Sequence, residues 1–172
     1  MKTDENAFSL SLGQSRSDFV ANKIYSASAI FTRKGRFDYG LLYATYDNIP
    51  IRGFGARADV FTPTIHYLLI KQEDGPNIGA GVGYNFVANS VDVNDFVLSA
   101  NISQRIGKID KTNVLPFFAI STSNGETAKS IGISLVFPKK NYFIISPSFV
   151  SSNGDSNFSF ELGYIFSRQA EK

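Results

Sequence analysis

Apolar side chains recur at every second position along almost the whole chain, and no other feature limits the fold as tightly. A helix needs a period near 3.6, whereas a period of two puts one class of side chain on one face of a strand. The stretch "PNIGAGVGYNF", residues 76–86, shows the pattern at its barest. Ile78, Ala80, Val82, Tyr84 and Phe86 alternate there with Gly79, Gly81 and Gly83 and with Asn85. Glycine weakens a strand interior, because it packs nothing and loses the most backbone entropy. Three glycines on one face therefore leave room for bulkier neighbours or let the strand bend, and the two readings are compatible.

Runs of this kind predict ten strands, at about 6–14, 23–33, 36–46, 57–71, 76–86, 94–106, 112–123, 128–138, 141–152 and 156–167. The phase of the seventh, around "LPFFAIS", is ambiguous. Pro63 and Pro116 fall inside predicted strands. A proline gives no donor to the ladder, so each should mark a bulge or a strand end. A count of eight, with two segments merged or excluded, stays open beside ten.

The second face of these strands is mostly Ser, Gly, Asn and Ala, and the charges lie mainly in the connections. A water-soluble sandwich or barrel turns its greasy face inward and carries Lys, Glu, Arg and Thr outside. Ser and Gly make a poor solvent face and offer no charges against edge pairing. The pattern makes sense inside out, with the greasy face toward lipid and the small face lining a narrow interior. In lipid every backbone N–H and C=O must be paired, which a sheet achieves only by closing into a barrel. The predicted strands are about as long as the roughly 9–11 tilted residues that a spanning strand takes. The expected fold is thus all-β, a single antiparallel up-and-down transmembrane β-barrel. Residues 1–172 read as one domain, the barrel over about 6–167 with short polar tails at both ends. Phe8, Phe31, Phe37, Phe86, Phe96, Phe137 and Phe166 lie near strand ends and are candidates for interfacial girdles.

The connections fall into two sets. "RKGR" at 33–36, "QEDGPN" at 72–77, "GKIDKTN" at 107–113 and "PKKN" at 138–141 read as tight and basic. Residues 15–22, "DNIPIRGFG" at 47–55, residues 88–94, "SNGETA" at 123–128 and "SSNGDS" at 151–156 read as looser and more polar. The 172 residues include no Cys, no Trp and one His, with a net charge of +2. Disulfides and thiolate metal sites are excluded, and no strong field points to nucleic acid. No run approaches the ~18 apolar residues of a membrane helix. "MKTDENAFSL" has no apolar stretch of the signal-peptide kind, so the chain is either cytosolic or a mature form whose signal has been replaced by Met.

Few residues offer chemistry. His66 falls on the small-residue face with Thr62 and Thr64, which points it into the lumen. It reads as a polar lumen residue, or as a general base beside a Ser. Asp38, Arg105 and Glu161 fall on the same face by phase. They form a polar plug across the lumen, or Asp38 and Arg105 are solvated at the rim. Glu161 is nearer mid-strand and needs a partner, with His66 and Arg105 as candidates. The stretch "DNIPIRGFGARAD", 47–59, reads as the longest connection and carries Arg52, Phe54, Arg57 and Asp59, as a ligand or adhesion loop or as a solvated cap. No metal-ligand cluster or phosphate loop is present in the sequence, and no cofactor is expected.

Two segments carry a family resemblance. "PNIGAGVGYNF" resembles the Pro-x-x-Gly-x-Gly-x-Gly-Tyr strand of small bacterial outer-membrane barrel proteins of the porin-like, OmpA-like and OmpW-like group. "NFSFELGYIF", residues 157–166, resembles their C-terminal β-signal, although family members end on the aromatic residue and "SRQAEK" follows here. The resemblance implies an outer-membrane location in a diderm (Gram-negative) bacterium, a signal peptide removed on export, and folding by the barrel assembly machinery. It puts both termini and the tight basic turns in the periplasm. The expected function is that of a non-enzymatic monomer embedded in membrane lipid, structural or surface-interacting, with at most a narrow pore and an unknown extracellular ligand. An outer-membrane lipid-modifying enzyme and a soluble barrel holding an apolar ligand are the alternatives.

Overall fold

The computed structural model describes residues 4–16, 21–33, 36–51, 54–72, 75–88, 94–109, 112–123, 125–138, 142–152 and 155–168. Its elements are all strands: β1 (Asp4–Arg16), β2 (Ala21–Arg33), β3 (Phe37–Ile51), β4 (Phe54–Ile70), β5 (Pro76–Ala88), β6 (Asp95–Gln104), β7 (Gly107–Ile109), β8 (Thr112–Ser123), β9 (Glu126–Pro138), β10 (Tyr142–Ser152) and β11 (Asp155–Arg168). Neighbours in sequence pair antiparallel, and two further pairings, β1 with β11 and β6 with β8, close the sheet on itself. The short β7 continues the line of β6 and pairs with the start of β8. The closed sheet therefore has ten strand positions, as the alternation predicts, and the eight-strand alternative falls away.

Closure fixes the tilt. Carried once around the ring, the strand register advances by about twelve residues. At a rise of about 3.3 Å per residue, and with ten strands about 4.8 Å apart, the strands tilt by roughly 40°. The same spacing gives a backbone radius of about 10 Å.

Each proline interrupts one ladder and keeps the other. β4 runs through Pro63 with its register to β3 unshifted, while its ladder to β5 skips Thr62 and Pro63 without a shift. The register shifts lie elsewhere, between Tyr46 and Ile49 and between Leu68 and Ile70. Pro116 does sit at a break. The ladder from β8 to β6 stops at Phe117 and resumes to β7 at Val114, leaving Pro116 in the gap.

The expected contrast between short turns and looser loops is not observed. Two residues separate β3 from β4, β8 from β9 and β10 from β11, so three of the five supposed loops are tight hairpins. Gly125, in the β8–β9 hairpin, has a φ of +75°, a backbone state that glycine adopts without strain. The segment 47–59 needs the largest correction. It is no long loop: β3 reaches Ile51, β4 begins at Phe54, and the two pair with each other to their tips. The pairing of β2 with β3 stops at Asp47 and that of β5 with β4 starts at Asp59, so the tip is a two-stranded ribbon standing beyond the ring. The ribbon's rungs pair only with each other, and in the sequence Pro50, Gly53 and Gly55 read as loop.

Among the described residues Ala44 is the one buried apolar side chain, and the other buried side chains are those of Thr45, Thr62 and Ser146. The most exposed large apolar residues of the barrel wall face out, with Leu10 66% exposed, Phe96 64% and Phe149 61%, while Leu42 and Phe117 lie on the lumenal phase.

Candidate functional site

The lumen wall is organised by the glycines of β5. Gly81 pairs with His66 of β4 on one side and with Ser99 of β6 on the other. A Cβ on Gly81 would stand 2.5 Å from Nδ1 of His66, so the imidazole lies across the bare backbone. From there Nε2 comes within 3.3 Å of Ser99 Oγ, two strands away. Gly79 lies under Asn101, whose Oδ1 would be 2.6 Å from an added Cβ, and Gly83 lies under Thr64, whose Cγ2 would be 2.8 Å away. Side chains of β4 and β6 meet above β5 at Gly81, while Asn101 of β6 covers Gly79 and Thr64 of β4 covers Gly83. The same device recurs at Gly132, where Phe117 fills the space.

Polar contacts brace this wall at two heights. Near the rim formed by the two-residue hairpins, Thr62 donates to Asn85 Oδ1 at 2.7 Å, Asn85 Nδ2 to Ser123 at 3.2 Å, and Ser123 to Asp95 at 3.0 Å. These link β4, β5, β6 and β8. Toward the rim that carries both chain ends, Thr32 donates to Asp38 at 2.7 Å, and Asp38 stands in register with His66. Buried hydroxyls must find partners, and Ser134 and Ser146 find each other at 2.9 Å.

The sequence candidates are placed as follows. Glu161 and His66 line one lumenal cavity of about 360 Å³, together with Ser26, Ser28 and Thr64. That volume holds on the order of a dozen waters at ~30 Å³ each. Asp38 is beside this cluster through His66. Arg105 is exposed between β6 and β7 and is not among the residues lining this cavity. Arg52 lies outside the described residues, and Phe54 and Arg57 lie in the ribbon strand of β4. Asp59 is where that ribbon meets the ring, and it accepts a hydrogen bond of 2.9 Å from Tyr43. Ser99, Asn101 and Phe117 were missed. Their role depends on which glycine stands opposite, and this is a matter of register that no single segment encodes.

Ser99, His66 and Asp38 together invite comparison with a nucleophilic triad. The Asp38 carboxylate is engaged by Thr32, however, and Ser99 sits in ladders to both β5 and β8. Backbone N–H groups committed to a ladder leave no donors for an oxyanion. The arrangement is suited to lining a passage with polar groups. Among the described residues no cluster of His, Asp and Glu has the form of a metal site.

The outer surface is the second functional element. Apolar residues at alternate positions form an aliphatic band that includes Leu10, Leu41, Ile65, Val82, Leu98, Ile131 and Leu162. Aromatic rings flank it on both sides. Toward the rim with the chain ends, Phe8 and Phe31 meet at 6.3 Å, Phe37 and Tyr67 at 4.8 Å, and Phe137 and Phe143 at 6.2 Å. Toward the opposite rim, Tyr84 touches Phe86 and Phe96, each at 4.9 Å, and Phe149 meets Phe158 at 5.3 Å. The expected girdle residues are thus found in two bands, Phe166 excepted, whose side chain is not among those described.

No family model matches the sequence, and no curated protein matches it. Solved structures do. The β domain of the Bordetella autotransporter BrkA is 12% identical, with 98% of this chain and 100% of that chain covered and a TM-score of 0.51. The translocator domain of the autotransporter NalP from Neisseria meningitidis is 10% identical over 95% of this chain and 87% of that one, at 0.49. Neisserial surface protein A is 8% identical over 96% and 97%, at 0.41. The fold is that of the bacterial outer-membrane β-barrels.

Proposed function

We propose that this chain spans a bacterial outer membrane as a non-enzymatic barrel, structural or surface-interacting, with at most a narrow passage for small solutes. The observation that carries the reading is the outer surface. A band of exposed aliphatic side chains between two aromatic girdles, around an interior that mixes Ser, Thr and His66 with Ile30, Leu42 and Phe117, is a surface made for lipid. A soluble barrel with an apolar ligand inside needs the opposite arrangement, because its greasy face would be buried. In this reading the chain ends and the basic turns face the periplasm, and the β3–β4 ribbon projects outward from the cell. Folding would then depend on the barrel assembly machinery, and the product is a monomer.

The test dilutes denatured protein into detergent micelles and, separately, into plain buffer. Folding to β-structure only in detergent, with a gel band that shifts on boiling, is the expected result. Clean monomeric folding in buffer alone would overturn the proposal. Release of small solutes from loaded liposomes then measures the passage, and lipid deacylation by the folded protein would transfer the case to an enzyme.

A further inference from the structure

The aromatic girdle at the hairpin rim has a break. Tyr43, Phe61 and Phe86 share one outward rung of it, and Tyr84, Phe96 and Phe158 extend it on β5, β6 and β11. β8 and β9 bring no ring to it. Their outward positions beside the β8–β9 hairpin are Thr122, Thr127 and Lys129. Ser151 and Ser156 continue the rung of Lys129 across β10 and β11. Among the described side chains Lys129 is the one Lys or Arg inside a strand, and its neighbours in register, Ile120 and Ser151, carry no charge to match it. A second feature adjoins the break. A cavity of about 310 Å³ lies over the β6–β8 seam, lined by Leu98, Ala100, Ile120, Thr122 and Thr127 with Ser99 and Ser121 behind them. Ala100 leaves it open, because it stands between the larger Leu98 and Ile102 on the outward phase of β6.

We infer that this break is a binding site for one net-anionic, phosphate-bearing membrane lipid, with its phosphate at Lys129 and the hydroxyls around it and an acyl chain in the cavity. The inference rests on the membrane-spanning reading above. An ammonium brings three donors on a flexible stem and holds phosphate as a point charge, and the hydroxyls of Thr127, Ser151 and Ser156 can donate to the remaining oxygens. The apolar lining of Leu98, Ala100 and Ile120 begins one strand away from Lys129, so headgroup and chain subsites adjoin as they do in a lipid. A zwitterionic lipid carries its own cation and gains less from Lys129 than a net-anionic one. One Lys near the surface of an acidic bilayer corresponds to a preference of about fivefold.

The experiment uses single tryptophans in this Trp-free chain. Phe149→Trp stands one outward rung below Lys129 and Ser151, and Phe86→Trp stands in the aromatic part of the girdle. Each is folded into phosphatidylcholine vesicles that contain a rising fraction of phosphatidylglycerol or phosphatidylcholine with brominated chains. Half-quenching of Phe149→Trp should need about fivefold less brominated phosphatidylglycerol than phosphatidylcholine. Phe86→Trp should not tell the two lipids apart, and Lys129→Gln should remove the preference at Phe149→Trp. Equal quenching by both lipids at Phe149→Trp, the same preference at both positions, or a preference that survives Lys129→Gln overturns the inference. So does protection of Phe149→Trp from both lipids, which would mean that a protein surface covers the break. The comparison of two lipids at two positions leaves Lys129 in place, so it decides the matter even if Lys129→Gln does not fold. Failure of the wild type to fold in any vesicle or in micelles would instead overturn the membrane reading.

Discussion

At the scale of the residue, what matters in this barrel is where side chains are missing. Gly81 has a value that nothing in its own strand reveals, because the imidazole that covers it comes from β4. Gly81→Val should cost about 1–3 kcal/mol, as overpacking generally does. Much of that cost should return in the double variant with His66→Ala, and a denaturant midpoint in micelles measures both. Gly132→Leu should cost more, and Phe117→Ala should return only part of it, because the Pro147 carbonyl oxygen also stands 2.6 Å from an added Cβ. Glu161→Gln should leave the folded yield unchanged, since Glu161 lines a wet cavity. If the carboxylate sets the charge of the passage, the same change should lower any preference for cations, read as a shift in reversal potential across a planar bilayer. The glycine run told the reader of the sequence that space was being kept. It did not tell for whom, since the occupants are set by registers between strands that only the closed sheet defines.

At the scale of the element, alternation was legible wherever a strand has lipid on one side and lumen on the other. It failed where that condition lapses. The tip of the β3–β4 ribbon pairs only within itself, and its sequence reads as loop. Around Phe117 and Phe118 two large rings in succession hide the phase, and closure decides it: Phe118 is exposed, while Phe117 packs over Gly132. Phe118→Arg should therefore oppose insertion by roughly 2–4 kcal/mol, the cost of a charge on the lipid face near mid-bilayer. Folded yield in vesicles measures it. Replacing the ribbon tip, residues 49–56, with a two-residue turn should leave yield and heat-shifted gel mobility unchanged, because those rungs pair only with each other. A loss of folding on trimming would mean that the ribbon contributes to the ring after all.

At the scale of the molecule, stability comes from closure. Among the described residues almost no apolar side chain is buried, so the fold in water has little to hold it, and each backbone group in lipid must be paired within the protein. Removing residues 155–168 would leave β1 and β10 each with an open edge. Such a chain should give no heat-shifted band in micelles, and a shifted band would show that nine strands reclose. That the chain makes a barrel, and of ten strands, was legible in the alternation. That its hairpins are short at both rims was not, because tight turns and loops draw on the same Gly, Asn, Ser and Pro. The pairing of Asp4 with Arg168 has a consequence of its own. The start of β1 and the end of β11 stand side by side on one rim, so a short linker could join Asp4 to Arg168 and new ends could be opened between β10 and β11. In such a circular permutant β10 becomes the final strand while every pairing is kept. It would separate what the sheet needs in order to close from what a cell needs to read at the end of a chain before it inserts one.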